Sequence, residues 1–430
     1  MPQALNIAIA GLGTVGAATA QLLRVNADLL ALRCGRPIVL KAVSARDCGR
    51  DRGVDLAGVD WVDDAVRLAT HPGIDVVVEL IGGAEGVARD LVVASLTAGR
   101  PVVTANKALL AHHGTELARL AEGKGTSLHF EAAVAGGIPI VKALREGLAA
   151  NAIERIYGVL NGTCNYILTT MRATGRDFSA VLKEAQKLGY AEADPSFDVD
   201  GVDTAHKLSI LTALAFGAEV DFASVHIEGI RRVTADDIRF ADELGYRVKL
   251  LGIARRTADG VEQRVHPCLV PDSAPIAHVP GAFNAVVADG DFVGSTVFEG
   301  RGAGGGPTAS AVVADLVDIA RGLRVPTFAI AADRLAPPRP LAIRHHRGAY
   351  YICLTVRDVP GVMADVTAIF RDEQISLDSM LQRGRAPGEP VPVVLETHEC
   401  EEAGMARALK NIGRLETMLR PPRMIRIEAF

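Results

Sequence analysis

The chain has little of what usually settles a protein's role at a glance. Six cysteines occur in 430 residues (Cys34, Cys48, Cys164, Cys268, Cys353 and Cys400), scattered and without a CxxC pair. That spacing argues against a structural zinc site and a disulfide framework, and it fits a reducing compartment. No run of about 18 uninterrupted apolar residues exists, so no membrane span is expected. Met1 to Asn6 show no basic region leading into an apolar run, so no signal peptide is expected either. Positive charge is not in excess. The formal net charge is -5, which leaves no basic footprint for nucleic acid or an anionic membrane. Internal repeats and low-complexity tracts are absent. The cytoplasm is the expected location.

What is there has the balance of a globular protein, 49% hydrophobic and 23% charged, with length for roughly three domains. Short apolar runs at Ile7 to Ala10, Ile38 to Val43, Val76 to Leu80 and Val102 to Thr104 each precede a helical pattern. Such runs suit a parallel sheet covered on both faces, a doubly wound α/β domain. A further strand is expected over Leu128 to Ala132, before the turn Gly136-Gly137-Ile138-Pro139. Beyond it the pattern turns to α+β. Helices are expected at Phe178 to Lys187 and Val202 to Phe216, and strands at Val248 to Ala254, Gln263 to Leu269 and Asn284 to Asp289. Pro307 to Arg321 reads as a helix packing back on the first domain, and the proline-rich segment from Ala336 to Pro340 reads as linker.

The first chemical motif is Gly11-Leu12-Gly13-Thr14-Val15-Gly16, between a strand and a helix. Gly11 permits a tight turn, Gly13 lets the backbone approach a pyrophosphate, and Gly16 allows close helix–strand packing. The helix start then offers unpaired N–H groups to the phosphates. A nicotinamide cofactor is the expected ligand. At the end of the second strand Asp47 suits a ribose 2′-hydroxyl, whereas Arg46, with Arg50 and Arg52 nearby, suits a 2′-phosphate. NAD and NADP both stay open, with a lean towards NADP.

The second motif runs from Ala185 to Lys207 and carries Glu192, Asp194, Asp198, Asp200 and Asp203 ahead of the lysine. Asp200 is expected as the N-cap of the following helix, with Asp203 in its first turn and Lys207 one turn on. One reading is an acidic helix start with an i, i+4 ion pair. The other is catalytic. Hydride transfer to a carbonyl leaves an alkoxide that needs a proton donor or a positive charge, and a partly desolvated lysine supplies either. Nearby carboxylates would also bind the ammonium of an amino-acid substrate. The histidine pairs His112-His113 and His345-His346 are expected at the surface, and His206 is given no role.

This stretch resembles the homoserine dehydrogenase signature A-x3-G, D-P-x2-D, G-x-D-x3-K, met here by Ala185, Gly189, Asp194, Pro195, Asp198, Gly201, Asp203 and Lys207. Glu79 to Gly83, Thr104 to Lys107, Gly136 to Pro139 and Leu160 to Tyr166 are similar to the same family, so the resemblance covers about residues 5 to 325. It implies interconversion of L-aspartate 4-semialdehyde and L-homoserine with NAD(P)H, in the route to threonine, methionine and isoleucine. It implies Lys207 as acid/base, Lys107 as a second lysine near both nicotinamide and substrate, and Asp203 orienting substrate. Glu192 and Asp198 would bind the substrate, Thr104 and Gly302 would lie beside the cofactor, and Gly300 to Gly306 would close over it. It further implies a monovalent cation, Na or K, held by Glu131 and the backbone of Val134, Gly136 and Ile138. A dehydrogenase for another amino-acid-like aldehyde or keto substrate would share the glycine loop without the full pattern. A non-catalytic amino-acid sensor would not need Glu192, Asp203 and Lys207.

The C-terminal stretch offers strands at Tyr350 to Val356, Ile375 to Leu377, Val391 to Glu396 and Met424 to Glu428, with Asp358-Val359-Pro360-Gly361 before a helix. This resembles an ACT domain of ferredoxin-like βαββαβ order. It implies either an amino-acid sensor, with threonine as the effector, or a pairing module that holds a homodimer or homotetramer together. The resulting division is a Rossmann-type domain over 1–135 (with about 307–330 packing back), a catalytic and oligomerisation domain over 136–306, a linker over 331–348 and an ACT domain over 349–430.

Overall fold

A computed structural model of the chain describes residues 3–383 and 388–430. The N-terminal sheet contains β1 (Leu5–Ala10), β2 (Ile38–Ser44), β3 (Asp60–Trp61), β4 (Val76–Glu79), β5 (Val102–Thr104) and β6 (Leu128–His129). All pairings are parallel, in the order β3-β2-β1-β4-β5-β6. Ile7, Ile9, Val76, Val78, Val102 and Val103 are fully buried, as continuous apolar strands between two helical layers require. The strand order reverses between β1 and β4, which opens a crevice at their C-terminal ends.

One expectation fails here. The strand predicted to reach Ala132 stops at His129, and Glu131–Ala133 form a 3-10 turn. The Glu131 carboxylate turns instead to accept the N–H groups of Val141 and Lys142, at 2.9 and 2.8 Å.

The second sheet begins with β7 (Ile153–Val159), β8 (His226–Ile227), β9 (Tyr246–Arg256), β10 (Val261–Pro271), β11 (Phe283–Gly290) and β12 (Gly294–Arg301). The C-terminal module adds β13 (Arg347–Arg357), β14 (Leu377–Gln382), β15 (Pro390–Thr397), β16 (Cys400–Glu401) and β17 (Met418–Ile427). They make one eleven-stranded sheet, with the path β12-β11-β7-β9-β10-β17-β13-β15-β14 and β8 and β16 off it. The two parts meet where β17 pairs in parallel with β10, Cys268 opposite Arg426 and Leu269 opposite Ile427. In the module, Tyr350, Ile352 and Leu354 face its helices Val362–Asp372 and Glu402–Ile412, while Tyr351 and Cys353 join the core of the preceding domain. That is the period-2 alternation of a strand buried on both faces.

The strand expected at Ile375 starts at Leu377, because Gln374 takes a left-handed turn at φ +58°. The proline-rich segment does not hang free: Ala336 and Gly217, and Arg339 and Val261, are joined by backbone hydrogen bonds. His346 is buried, 3.6 Å from Glu262, whereas the sequence placed it at the surface. Its neighbour Glu402 reaches in to donate its N–H to the His346 carbonyl.

Helix Val202–Phe216 is buried on nearly every side, against β7, β9, β10 and helix Lys107–Gly123. An all-round apolar helix of this kind is a core element, and polar groups on it need partners. Helix Gly305–Ala320 returns to pack on helix Thr14–Val25, its Val312 and Leu316 lying in the core of the first sheet.

Candidate active site

The glycine loop sits at the reversal point of the first sheet. Gly11 has φ +95°, and a side chain there would strike the Leu80 carbonyl. A side chain at Gly16 would strike Gly11 itself, while Gly13 faces open space. Helix Thr14–Val25 starts with no side-chain cap, so its first N–H groups face outward. Beside the loop lies a cavity of about 760 Å³ bordered by Leu12, Arg46, Asp47, Arg50 and Arg52. Arg46 is exposed on its wall. Arg52 is committed to structure, donating to the Leu12 and Arg50 carbonyls and stacking on Trp61.

Thr104 ends β5, and its hydroxyl donates to the Glu79 carboxylate at 2.6 Å while accepting from the Asn106 N–H. The side chain is thus spent inside the protein, leaving only its backbone for a cofactor. Glu79 also accepts from the N–H groups of Ile81 and Gly82, tying the β4 loop to β5. Asn106 caps helix Lys107–Gly123, which fixes where Lys107 emerges.

A second cavity, about 590 Å³, is lined by Lys107, Asn161, Asp198, Asp203, Lys207 and the turn Arg301 to Gly304. Here the first turn of helix Val202–Phe216 delivers its polar groups. Asp203 Oδ2 accepts from Lys207 Nζ at 2.7 Å, and Oδ1 faces Lys107 Nζ at 3.0 Å. Lys207 also donates to the Leu160 carbonyl at 2.7 Å. Burial alone would raise the Asp203 carboxyl, but the two lysines and Asn161 hold it well below the usual carboxylate range. Burial lowers Lys207, against the pull of Asp203. Burial would lower Lys107 too, yet Asp203, Asp198 and Glu192 outweigh it and push it up. Lys107 also sits over the Phe197 ring, 5.7 Å from its centroid.

Asp198 borders the same cavity, and burial raises its carboxyl. Glu192 is exposed on the preceding loop, and its side chain makes no hydrogen bond or ion pair among the described residues. Asp200 is not the N-cap: Gly201, at φ +88°, takes that position, and Asp200 pairs with Arg231. His206 packs among the rings of His112, Phe197 and Phe222, and burial, then His112, pushes it down to about 4.

The glycine-rich segment is shorter than expected as a loop. β12 runs through Arg301 and the helix starts at Gly305. Gly302 is buried against the Asn284 amide and Gly136.

The proposed cation ligands cluster next to this turn. Glu131 lies beside Asp315, and burial together with Asp315 pushes it up to about 7. Asp315 Oδ2 accepts the Glu131 N–H, while its Oδ1 makes no hydrogen bond and lies 3.6 Å from the Lys142 ammonium. Ala135 and Gly136 both have positive φ, and the Val134 and Gly136 carbonyls accept no hydrogen bond among the described residues. Two crowded carboxylates beside unused carbonyls fit a hard cation.

Sequence reasoning missed Asn161, Phe197 and Glu79 as site residues. All three lie inside the family-like segments, Phe197 beside Asp198, yet what each touches is set by the fold; the helix-capping position of Asn161 was a further local signal.

Comparison with known proteins agrees with this geometry. A family profile described as homoserine dehydrogenase matches residues 139–317, one described as its NAD-binding domain matches 11–131, and one described as ACT domain matches 350–416. A homoserine dehydrogenase of Pseudomonas aeruginosa is 46% identical over 431 residues, covering 99% of both chains. A crystal structure of a homoserine dehydrogenase from Thiobacillus denitrificans has 47% identity and a TM-score of 0.94, covering 99% of this chain and 98% of that one. A hyperthermophilic archaeal homoserine dehydrogenase, solved in complex with NADPH, has 26% identity and a TM-score of 0.65 over 75% of this chain and 99% of its own.

Proposed function

The chain belongs to the homoserine dehydrogenase family, and from that premise we propose how its residues divide the work. The protein is an NAD(P)-dependent oxidoreductase that interconverts L-aspartate 4-semialdehyde and L-homoserine, with an ACT domain at its C-terminus. The bound nicotinamide supplies or accepts the hydride. In the reductive direction Lys207, as an ammonium, gives a proton to the oxygen that becomes the hydroxyl. In the oxidative direction neutral Lys207 takes that proton back. Burial, which lowers its proton affinity, makes it the better acid of the pair. Lys107, kept charged by the surrounding carboxylates, stabilises the developing oxyanion. Asp203 holds both lysines, and Asp198 on the cavity wall with Glu192 on the preceding loop binds the substrate ammonium.

Gly11 to Gly16 seat the pyrophosphate on the helix start, and Arg46 gives a preference for NADP. Glu131 with the carbonyls of Val134, Gly136 and Ile138 holds a monovalent cation that braces the turn next to Gly302. The C-terminal domain binds an amino-acid effector, threonine, and the working form is a cytoplasmic homodimer or homotetramer. The observation that carries the catalytic reading is the double bridge from Asp203 to Lys207 and Lys107 on one cavity wall. Lys207→Ala should cut turnover on the order of 10³-fold, the scale of a lost general acid–base group, with NADP binding intact. An unchanged kcat would sink the assignment.

A further inference from the structure

Asn161 follows β7 and is the N-cap of helix Gly162–Thr174. Its Oδ1 accepts the Cys164 N–H at 2.8 Å, which settles which way the amide points. The reverse orientation would set a carbonyl oxygen against two carboxylates. Nδ2 therefore faces the signature loop, and it has two N–H groups. One donates to Asp198 Oδ1 at 2.8 Å and the other to Asp203 Oδ2 at 2.9 Å. The residue is 5% exposed, so neither bond is exchanged readily with solvent.

The consequences differ at the two acceptors. Asp203 Oδ2 receives Asn161 and Lys207, which leaves Oδ1 turned to Lys107. Asp198, tethered through Oδ1, keeps its other oxygen without a protein partner among the described residues, on the cavity wall. The residue before Asn161 joins in, since the Leu160 carbonyl receives Lys207. One turn at the end of β7 thus fixes three of the groups in the cavity.

We propose that Asn161 is a positioning residue that assigns the two carboxylates separate tasks, holding Asp203 to the lysine pair and Asp198 towards the substrate ammonium. This rests on Lys207 and Asp203 being the proton-handling pair. A neutral amide does it without adding charge. A carboxylate in its place would repel Asp198 and Asp203 and make Lys207 hold its proton more tightly. The other groups facing Lys207 are Lys107 from the neighbouring helix, Asp198 from the short helix Ser196–Val199 and the buried Cys164 thiol, while Glu192 acts on Lys107.

The test uses the full-length enzyme in homoserine oxidation, where Lys207 must start neutral. Asn161→Asp keeps a good helix cap but removes both donors, and Asn161→Ser keeps a cap that is too short to reach. Asn161→Asp is expected to lower kcat on the order of 100-fold, the cost of misplacing a catalytic group by about 1 Å. It should also move the acidic limb of the kcat profile to higher pH. Asn161→Ser should lower kcat and raise the homoserine KM with the limb in place, and NADP affinity should stay within about 3-fold in both. The serine variant decides alone if the aspartate variant does not fold. Wild-type kcat and KM in the folded variants would overturn the proposal. So would a kcat loss that tracks the melting temperature with KM and pH limb unmoved. Lys207→Ala is run alongside: if it stays active, the catalytic reading itself fails, whereas an inactive Lys207→Ala beside a normal Asn161→Ser removes only Asn161.

Discussion

Lys207 and Lys249 are both buried lysines of the same domain, and each donates to one backbone carbonyl and one side-chain oxygen. For Lys207 these are Leu160 and Asp203, both at 2.7 Å. For Lys249 they are Val279 at 2.7 Å and Asn165 at 2.9 Å. One carboxylate exchanged for one amide separates them. Burial pushes Lys249 down to about 8, with Arg172 and Arg247 adding to it. At Lys207 the same burial meets the opposing pull of Asp203. The outcome is a lysine paired with a carboxylate on the cavity wall, and a lysine tied to neutral oxygens. Asn165 completes that tie with its two N–H groups shared among the Val279, Gly281 and Phe283 carbonyls, and Gly281 and Phe283 line the cavity. Counter-charge, more than depth, decides what a buried ammonium does.

Asp203→Asn breaks the comparison most directly, because it gives Lys207 the kind of partner Lys249 has. Homoserine oxidation should slow roughly 100-fold or more, the scale of losing a preorganised electrostatic partner. Lys207 would then lose its proton more easily, so the acidic limb should move to lower pH, opposite to Asn161→Asp. A limb that moves up, or a rate near wild type, would contradict the pairing.

Lys249 sharpens the contrast through stability. Its ammonium is favoured in the unfolded chain up to the ordinary lysine value, but in the folded chain only to about 8. Between these values the unfolded state holds the extra proton, so stability rises with pH across that window. The linkage limit is about 3 kcal/mol, from roughly 1.4 kcal/mol per pKa unit. Denaturant titrations at pH 7.5 and 10 should show this rise in the wild type and a flatter difference in Lys249→Met. An equal slope in both would remove the argument. The smallest effect is on the substrate: with the tie to Val279 gone, Lys249→Met should raise the homoserine KM by about 3- to 10-fold, or up to about 1.4 kcal/mol of binding, with kcat held within about 2-fold.

What the sequence revealed was local. The Gly11–Gly16 loop and the Ala185–Lys207 run declare themselves because a few residues at fixed spacing do the work, and the Asp203–Lys207 pair needed only helical geometry. Long-range partners did not show. Asp200 reads as an N-cap until Arg231, thirty-one residues away, claims it and Gly201 supplies the left-handed backbone. His346 reads as surface until β10 brings Glu262 beside it. Asn161 looks like any helix cap, and only folding sets its amide between two carboxylates. The expected βαββαβ order gave no hint that its last strand would pair in parallel with another domain's sheet, since two residue pairs make that junction.

That junction has a practical consequence for anyone trimming the gene. β17 lies inside the sheet with neighbours on both sides, so deletion from 349 onward would strip β10 and leave its ladder groups bare. Arg264 would lose Glu428, and Glu228 would lose the buried Arg426. An unpaired, apolar edge beside orphaned charges invites other chains to dock. The C-terminal unit behaves as a keystone, and any change in activity of a shortened protein would be hard to tell from a collapse of the sheet.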